Sequence, residues 1–96
     1  MSWDRLTLNP AQVASGEAQR CRDAFYEVFK KARAPRTMAL FQQKCDDGGV
    51  DLFFTPECGE HARELLAEWG CTPCDRPSMV GLELVVGHNE ITYYMP

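Results

Sequence analysis

No stretch of this sequence approaches the roughly 20 consecutive apolar residues that a membrane-spanning helix requires. The opening Met1-Ser2-Trp3-Asp4-Arg5-Leu6 also lacks the basic segment and apolar run of a secretory signal. Without either feature the expected product is a soluble protein of the cytoplasm. Positive charge is in short supply too: the formal net charge is −4. Affinity for duplex nucleic acid comes largely from Lys and Arg neutralising phosphates, so a nucleic-acid partner is disfavoured. Internal repeats, low-complexity tracts and dividing linkers are missing, as are phosphate-cradling glycine loops, nucleophile elbows and metalloprotease motifs. The acidic pairs Asp46-Asp47 and Glu57/Glu60 do not carry the alternating oxygen ligands of a calcium loop. No cofactor is implied.

What is present suits one domain, 1–96. A hydrophobic fraction of 45% and a charged fraction of 25% are ordinary globular usage. Ninety-six residues bury enough surface to fold without a staple, but too few remain for a second core. The charge is unevenly spread. Between Arg20 and Arg36, six basic residues (Arg20, Arg22, Lys30, Lys31, Arg33, Arg36) face two acidic ones (Asp23, Glu27), a local +4 that leaves −8 elsewhere. Such a stretch is a solvated helix face or a docking surface for an acidic partner.

Residues 1–8 read as an N-terminal arm in which Trp3, Leu6 and Leu8 are apolar enough to pack, either docked on the domain or added to the sheet as an edge strand. Asn9-Pro10 begins a helix, because Asn caps and the missing N–H of proline costs nothing at the first helical position. From Cys21 the apolar positions Ala24, Phe25, Val28, Phe29 and Ala32 follow in steps of three and one, an amphipathic stripe that places helix 1 over 10–33. Gly16 weakens its first part, and Pro35 ends it. A hairpin follows, 37–44 paired with 50–54 across Asp46-Asp47-Gly48-Gly49, where glycine supplies positive φ at no steric cost. Thr55-Pro56 repeats the cap-then-proline signal, and Ala62, Leu65, Leu66 and Trp69 set helix 2 over 56–69 before Gly70. Strands 80–86 and 90–95, joined at Gly87-His88-Asn89, make a second hairpin. The order is αββαββ, an α+β two-layer sandwich with two helices on one face of a four-stranded, mostly antiparallel sheet. In element order alone it resembles the ferredoxin-like architectures.

Alternation along the strands puts apolar side chains on both sheet faces. Phe41, Phe53, Val85 and Tyr94 fall on the side away from the helices, forming a candidate interface for a homodimer or another protein. The competing expectation is that the arm, with Trp3 and Leu6, folds over them.

Five cysteines, an odd number in a chain with no oxidising destination, read as free thiols. Cys58-x-x-His61 and Cys71-x-x-Cys74 together mimic a zinc signature. Zinc draws its ligands to about 2.0–2.3 Å from one ion, whereas a continuous helix of thirteen residues at ~1.5 Å each would hold the pairs about 20 Å apart. Thiol exchange at Cys71/Cys74 is disfavoured because the pair follows a helix, at the end whose dipole does not stabilise a thiolate. Cys58 lies in the first turn of helix 2 with His61 three residues on, but Glu57 and Glu60 oppose a thiolate there. The leading reading is therefore a non-enzymatic interaction or self-associating domain. The alternative is a thiol-redox or zinc-binding protein using Cys71 and Cys74, with Cys58 and His61 as further candidates.

Overall fold

Asn9 caps the first helix by a reciprocal pair of hydrogen bonds. Its Oδ1 accepts the Gln12 backbone N–H, and the Gln12 Oε1 accepts the Asn9 N–H, both at 2.8 Å. The computed structural model to which this belongs describes residues 2–33, 35–78 and 80–88. Within them are β1 (Trp3–Leu8), α1 (Pro10–Ala14), α2 (Glu17–Lys31), β2 (Leu40–Lys44), β3 (Val50–Phe54), α3 (Cys58–His61), α4 (Arg63–Glu68), β4 (Thr72–Cys74) and β5 (Glu83–Val86). The result is a small α+β fold: an open antiparallel sheet in the order β4-β1-β3-β2-β5, with four helices among the described residues.

Three expectations change here. Among the described residues the sheet has five strands, two of them beyond the expected hairpins: the supposed arm is β1 and the supposed loop after Trp69 contains β4. β1 lies inside the sheet, pairing with β3 (Leu6 opposite Leu52) and with β4 (Trp3 opposite Cys74). Helix 1 is two helices: Gly16 adopts φ 84°, a left-handed conformation that stops α1 and restarts the chain as α2. Helix 2 is also two helices, because Ala62 leaves helical geometry at φ −131°, ψ 28°. The rod expected over 56–69 is thus interrupted, although Ala62 still donates to the Cys58 carbonyl and accepts from the Leu66 N–H, at 2.8 and 3.0 Å. The expected strand 90–95 lies outside the described residues.

The hairpin of β2 and β3 forms because the Gly48-Gly49 turn closes it. The Cys45 N–H donates to the Gly49 carbonyl at 2.9 Å, and the Gly49 N–H to Asp47 Oδ1 at 2.8 Å. Gly49 is needed for space: a Cβ there would sit 2.6 Å from the Leu8 carbonyl oxygen, so β1 can run past the turn only if the residue is glycine.

Two apolar clusters lie on opposite sides of the sheet, as the period-two alternation of strands dictates. On the helix side Leu8, Leu40, Val50, Leu52 and Phe54 meet Ala18, Cys21 and Phe25 of α2 and Leu66 of α4. Phe54 anchors this core, with ring centroids 5.3 Å from Phe25 and 6.1 Å from Trp69. On the other side Trp3, Ala39, Phe41 and Phe53 are buried together, with Cys74, Leu82 and Leu84 partly buried against them. No helical residue among those described belongs to this second cluster.

Candidate functional site

The aromatic residues expected at a sheet-face interface are placed differently from one another. Phe41 and Phe53 are on the side away from the helices, where the alternation puts them, but they are interior residues at 1% and 6% exposure. Trp3 covers them in part as a member of β1, its ring centroid 6.0 Å from that of Phe41. Val85 is on the helix side instead. The cause is a register shift between β2 and β5: Leu40 faces Val86 and Phe41 faces Leu84, so Val85 is an extra residue and the two-residue alternation breaks. Tyr94 lies outside the described residues.

The cysteine pairs are also parted by the strands and helices that carry them. Cys71 packs against the helix-side cluster and Cys74 against the second cluster. An extended chain turns successive side chains to opposite faces, so a spacing of three sends the two sulfurs apart. Cys58 is wholly buried, its Sγ donating to the Ala39 carbonyl at 3.4 Å and 3.5 Å from Thr55 Oγ1. His61, three residues on, is exposed on the outer side. The sulfur and imidazole of this pair therefore do not form a nucleophile and base. Among the described residues no three histidine, cysteine, aspartate or glutamate side chains are grouped so as to hold a metal ion.

Electrostatics keep the thiols protonated. Burial is the largest cause of a rise that takes the Cys58 thiol up to about 11. Burial, reinforced by the nearby Asp4 carboxylate and Cys21, pushes Cys71 up to about 12. Cys21, Cys45 and Cys74 are raised as well, burial being the largest cause for each. A thiolate nucleophile requires a lowered pKa, and none of the five has one. Asp4, which shares a cavity of about 450 Å³ with Cys71, Glu60 and Arg63, also has its carboxyl raised by burial.

The larger concavity is a groove of about 630 Å³ between α2 and the α3–α4 segment. Half-buried Val28 and Leu65, with buried Ala62, give it an apolar floor. Glu60, Glu64 and Glu68 form its exposed rim, with His61 and Arg63 beside them. Among the described residues no cation is within ion-pairing distance of the three rim carboxylates. The Arg63 Nε donates instead to the Gly59 carbonyl at 3.4 Å.

The sequence reading passed over this groove. Glu57 and Glu60 were weighed there only against a calcium loop and as charges opposing a Cys58 thiolate, and the spacing Glu60, Glu64, Glu68 was the available signal of a common face. No family model, curated protein or solved structure matches the chain.

Proposed function

We propose that this chain is a non-enzymatic protein-interaction domain that docks a positively charged partner in the groove between α2 and α3–α4. The carrying observation is the combination in one concavity of an apolar floor (Val28, Ala62, Leu65) with three carboxylates (Glu60, Glu64, Glu68) that make no ion pair among the described residues. Apolar burial supplies affinity in such a site, and the rim selects for charge and speeds encounter. The protonated thiols support the non-enzymatic half of the reading, because they offer no activated nucleophile. Burial of Phe41 and Phe53 favours the helix side over the sheet face for such a contact.

Two finer readings accompany it. The order β4-β1-β3-β2, with helices in both crossovers, supports a ferredoxin-like layout to which β5 is added beside β2. Five free thiols suit a reducing compartment such as the cytoplasm. No helix among the described residues is long and apolar enough to cross a membrane.

The test is a titration of isotope-labelled protein with a synthetic amphipathic helical peptide of leucine and lysine, followed by amide chemical shifts. Saturable shifts confined to Val28 and residues 60–68 are expected, weakened about tenfold or more in the double variant Glu64→Lys, Glu68→Lys. Shifts spread over the sheet residues, or none at all, would overturn the proposal.

A further inference from the structure

Of the large apolar residues described, two are exposed: Tyr26 at 48% and Val80 at 81%. Tyr26 is in the basic part of α2, and the Lys30 ammonium lies 5.0 Å from its ring centroid. The contact holds an aromatic ring and a cation together as one projection. Among the described residues Lys30 is otherwise engaged by an exposed ion pair with Glu27 at 3.2 Å, a type of contact that is weak and readily exchanged. Arg33, just past the end of α2 and in left-handed backbone at φ 46°, is exposed and makes no ion pair with a described residue. This projection complements the groove: a ring for the apolar floor and cations for the three rim glutamates.

The projection and the groove cannot meet within one molecule. Tyr26 and Val28 are two residues apart on α2, which at about 100° per residue turns them about 200° from each other around the helix axis. Val28 forms part of the groove wall, so Tyr26 faces away from it. Resting on the assignment of the groove as a docking surface, we infer that its occupant is a second copy of this chain, which inserts Tyr26 and directs Lys30 and Arg33 at Glu60, Glu64 and Glu68. The contact is self-complementary in kind, since each copy carries both halves, and two copies related by a twofold axis can satisfy both at once. It also gives the uneven charge distribution a use: the +4 stretch from Arg20 to Arg36 and the acidic helix segment belong to one chain and pair between chains. Aromatic and arginine side chains at the centre of a contact are the usual carriers of its binding energy.

Sedimentation equilibrium of the full chain at ~50 mM and ~500 mM salt tests the inference, since screening weakens contacts between exposed charges. Self-association that falls at least about tenfold in affinity at the higher salt is expected. Tyr26→Ala, Lys30→Glu and Glu64→Lys should each reduce it comparably while leaving the circular dichroism spectrum unchanged. Mixing Lys30→Glu with Glu64→Lys should restore association beyond what either variant shows alone, because in the mixed dimer one contact carries both reversals and the other carries neither, so both are attractive. A wild-type chain that stays monomeric at millimolar concentration and low salt overturns the inference, and so does association indifferent to all three substitutions. If the leucine–lysine peptide still binds the groove of a strictly monomeric chain, self-association is refuted and the docking surface stands. If neither binds, both are refuted.

Discussion

Phe41→Ala separates an interior sheet face from an exposed one. Phe41 is 1% exposed. It stands opposite Phe53 on β3 and Leu84 on β5, and its ring centroid is 6.0 Å from that of Trp3. Truncating a buried phenylalanine removes its transfer energy and leaves a cavity, together costing about 3–5 kcal/mol. For a domain whose total stability is roughly 5–15 kcal/mol, that is a large fraction. Taking about 4 kcal/mol and a denaturant slope of roughly 1.5 kcal/mol per molar urea, the unfolding midpoint should fall by about 2.5 M. The measurement is urea denaturation followed by circular dichroism, at protein concentrations low enough that association adds nothing to stability. Had Phe41 been an exposed interface residue, the same change would move stability by no more than about 0.5 kcal/mol. A midpoint shift below ~0.3 M would therefore refute the assignment of Trp3, Ala39, Phe41 and Phe53 to a second core.

Thr55→Val keeps the side-chain volume but removes the Oγ1 that accepts the Ala39 N–H at 3.0 Å. Leaving that buried donor unsatisfied should cost about 1–3 kcal/mol in urea or thermal unfolding, and an unchanged midpoint would contradict it. Cys58 makes stability depend on alkaline pH. Its thiol titrates at about 11 in the fold against an ordinary value of 9.0, so the unfolded chain loses its proton first. The contribution is complete below pH 9, falls as pH rises from there, and is exhausted above the folded value, with about 1.4 kcal/mol gone by about pH 10. Midpoints measured on either side of that range should fall less steeply in Cys58→Ala than in the unsubstituted chain, and equal slopes would tell against the burial argument. For Cys71 and Cys74, a mild disulfide-forming oxidant applied to the folded protein should leave the pair unlinked, because their sulfurs belong to clusters on opposite sheet faces. Peptide mapping that recovers a Cys71–Cys74 disulfide from folded material would show that placement to be wrong.

The elements legible in the sequence are those whose signals are short in range. The helix start at Asn9-Pro10, the stripe through Cys21, Phe25 and Val28, and the two-glycine turn of the hairpin each depend on residues within a few positions of one another. The assignment of Val50, Leu52 and Phe54 to one sheet face and Phe53 to the other likewise needed only the alternation of a strand. β1 was less legible because its apolar residues change parity: Trp3 belongs to one face, Leu6 and Leu8 to the other, so neither face shows a continuous pattern. Val85 was misplaced for a related reason. A bulge adds one residue to a strand and exchanges the faces of everything beyond it, and nothing in the residues themselves marks where it falls.

By itself, then, the sequence determined the helix start at Asn9-Pro10, the turn at Gly48-Gly49 and the uneven charge, since each follows from composition or from the conformational preferences of near neighbours. Only the tertiary structure decided that residues 3–8 are an interior strand, that Phe41 and Phe53 are enclosed, that Cys71 and Cys74 part company, and that three glutamates rim an apolar groove. Those outcomes depend on pairings between residues far apart in the chain, such as Leu6 with Leu52 and Phe41 with Leu84. Such pairings are settled by which faces can be buried together, an energy that no local pattern contains.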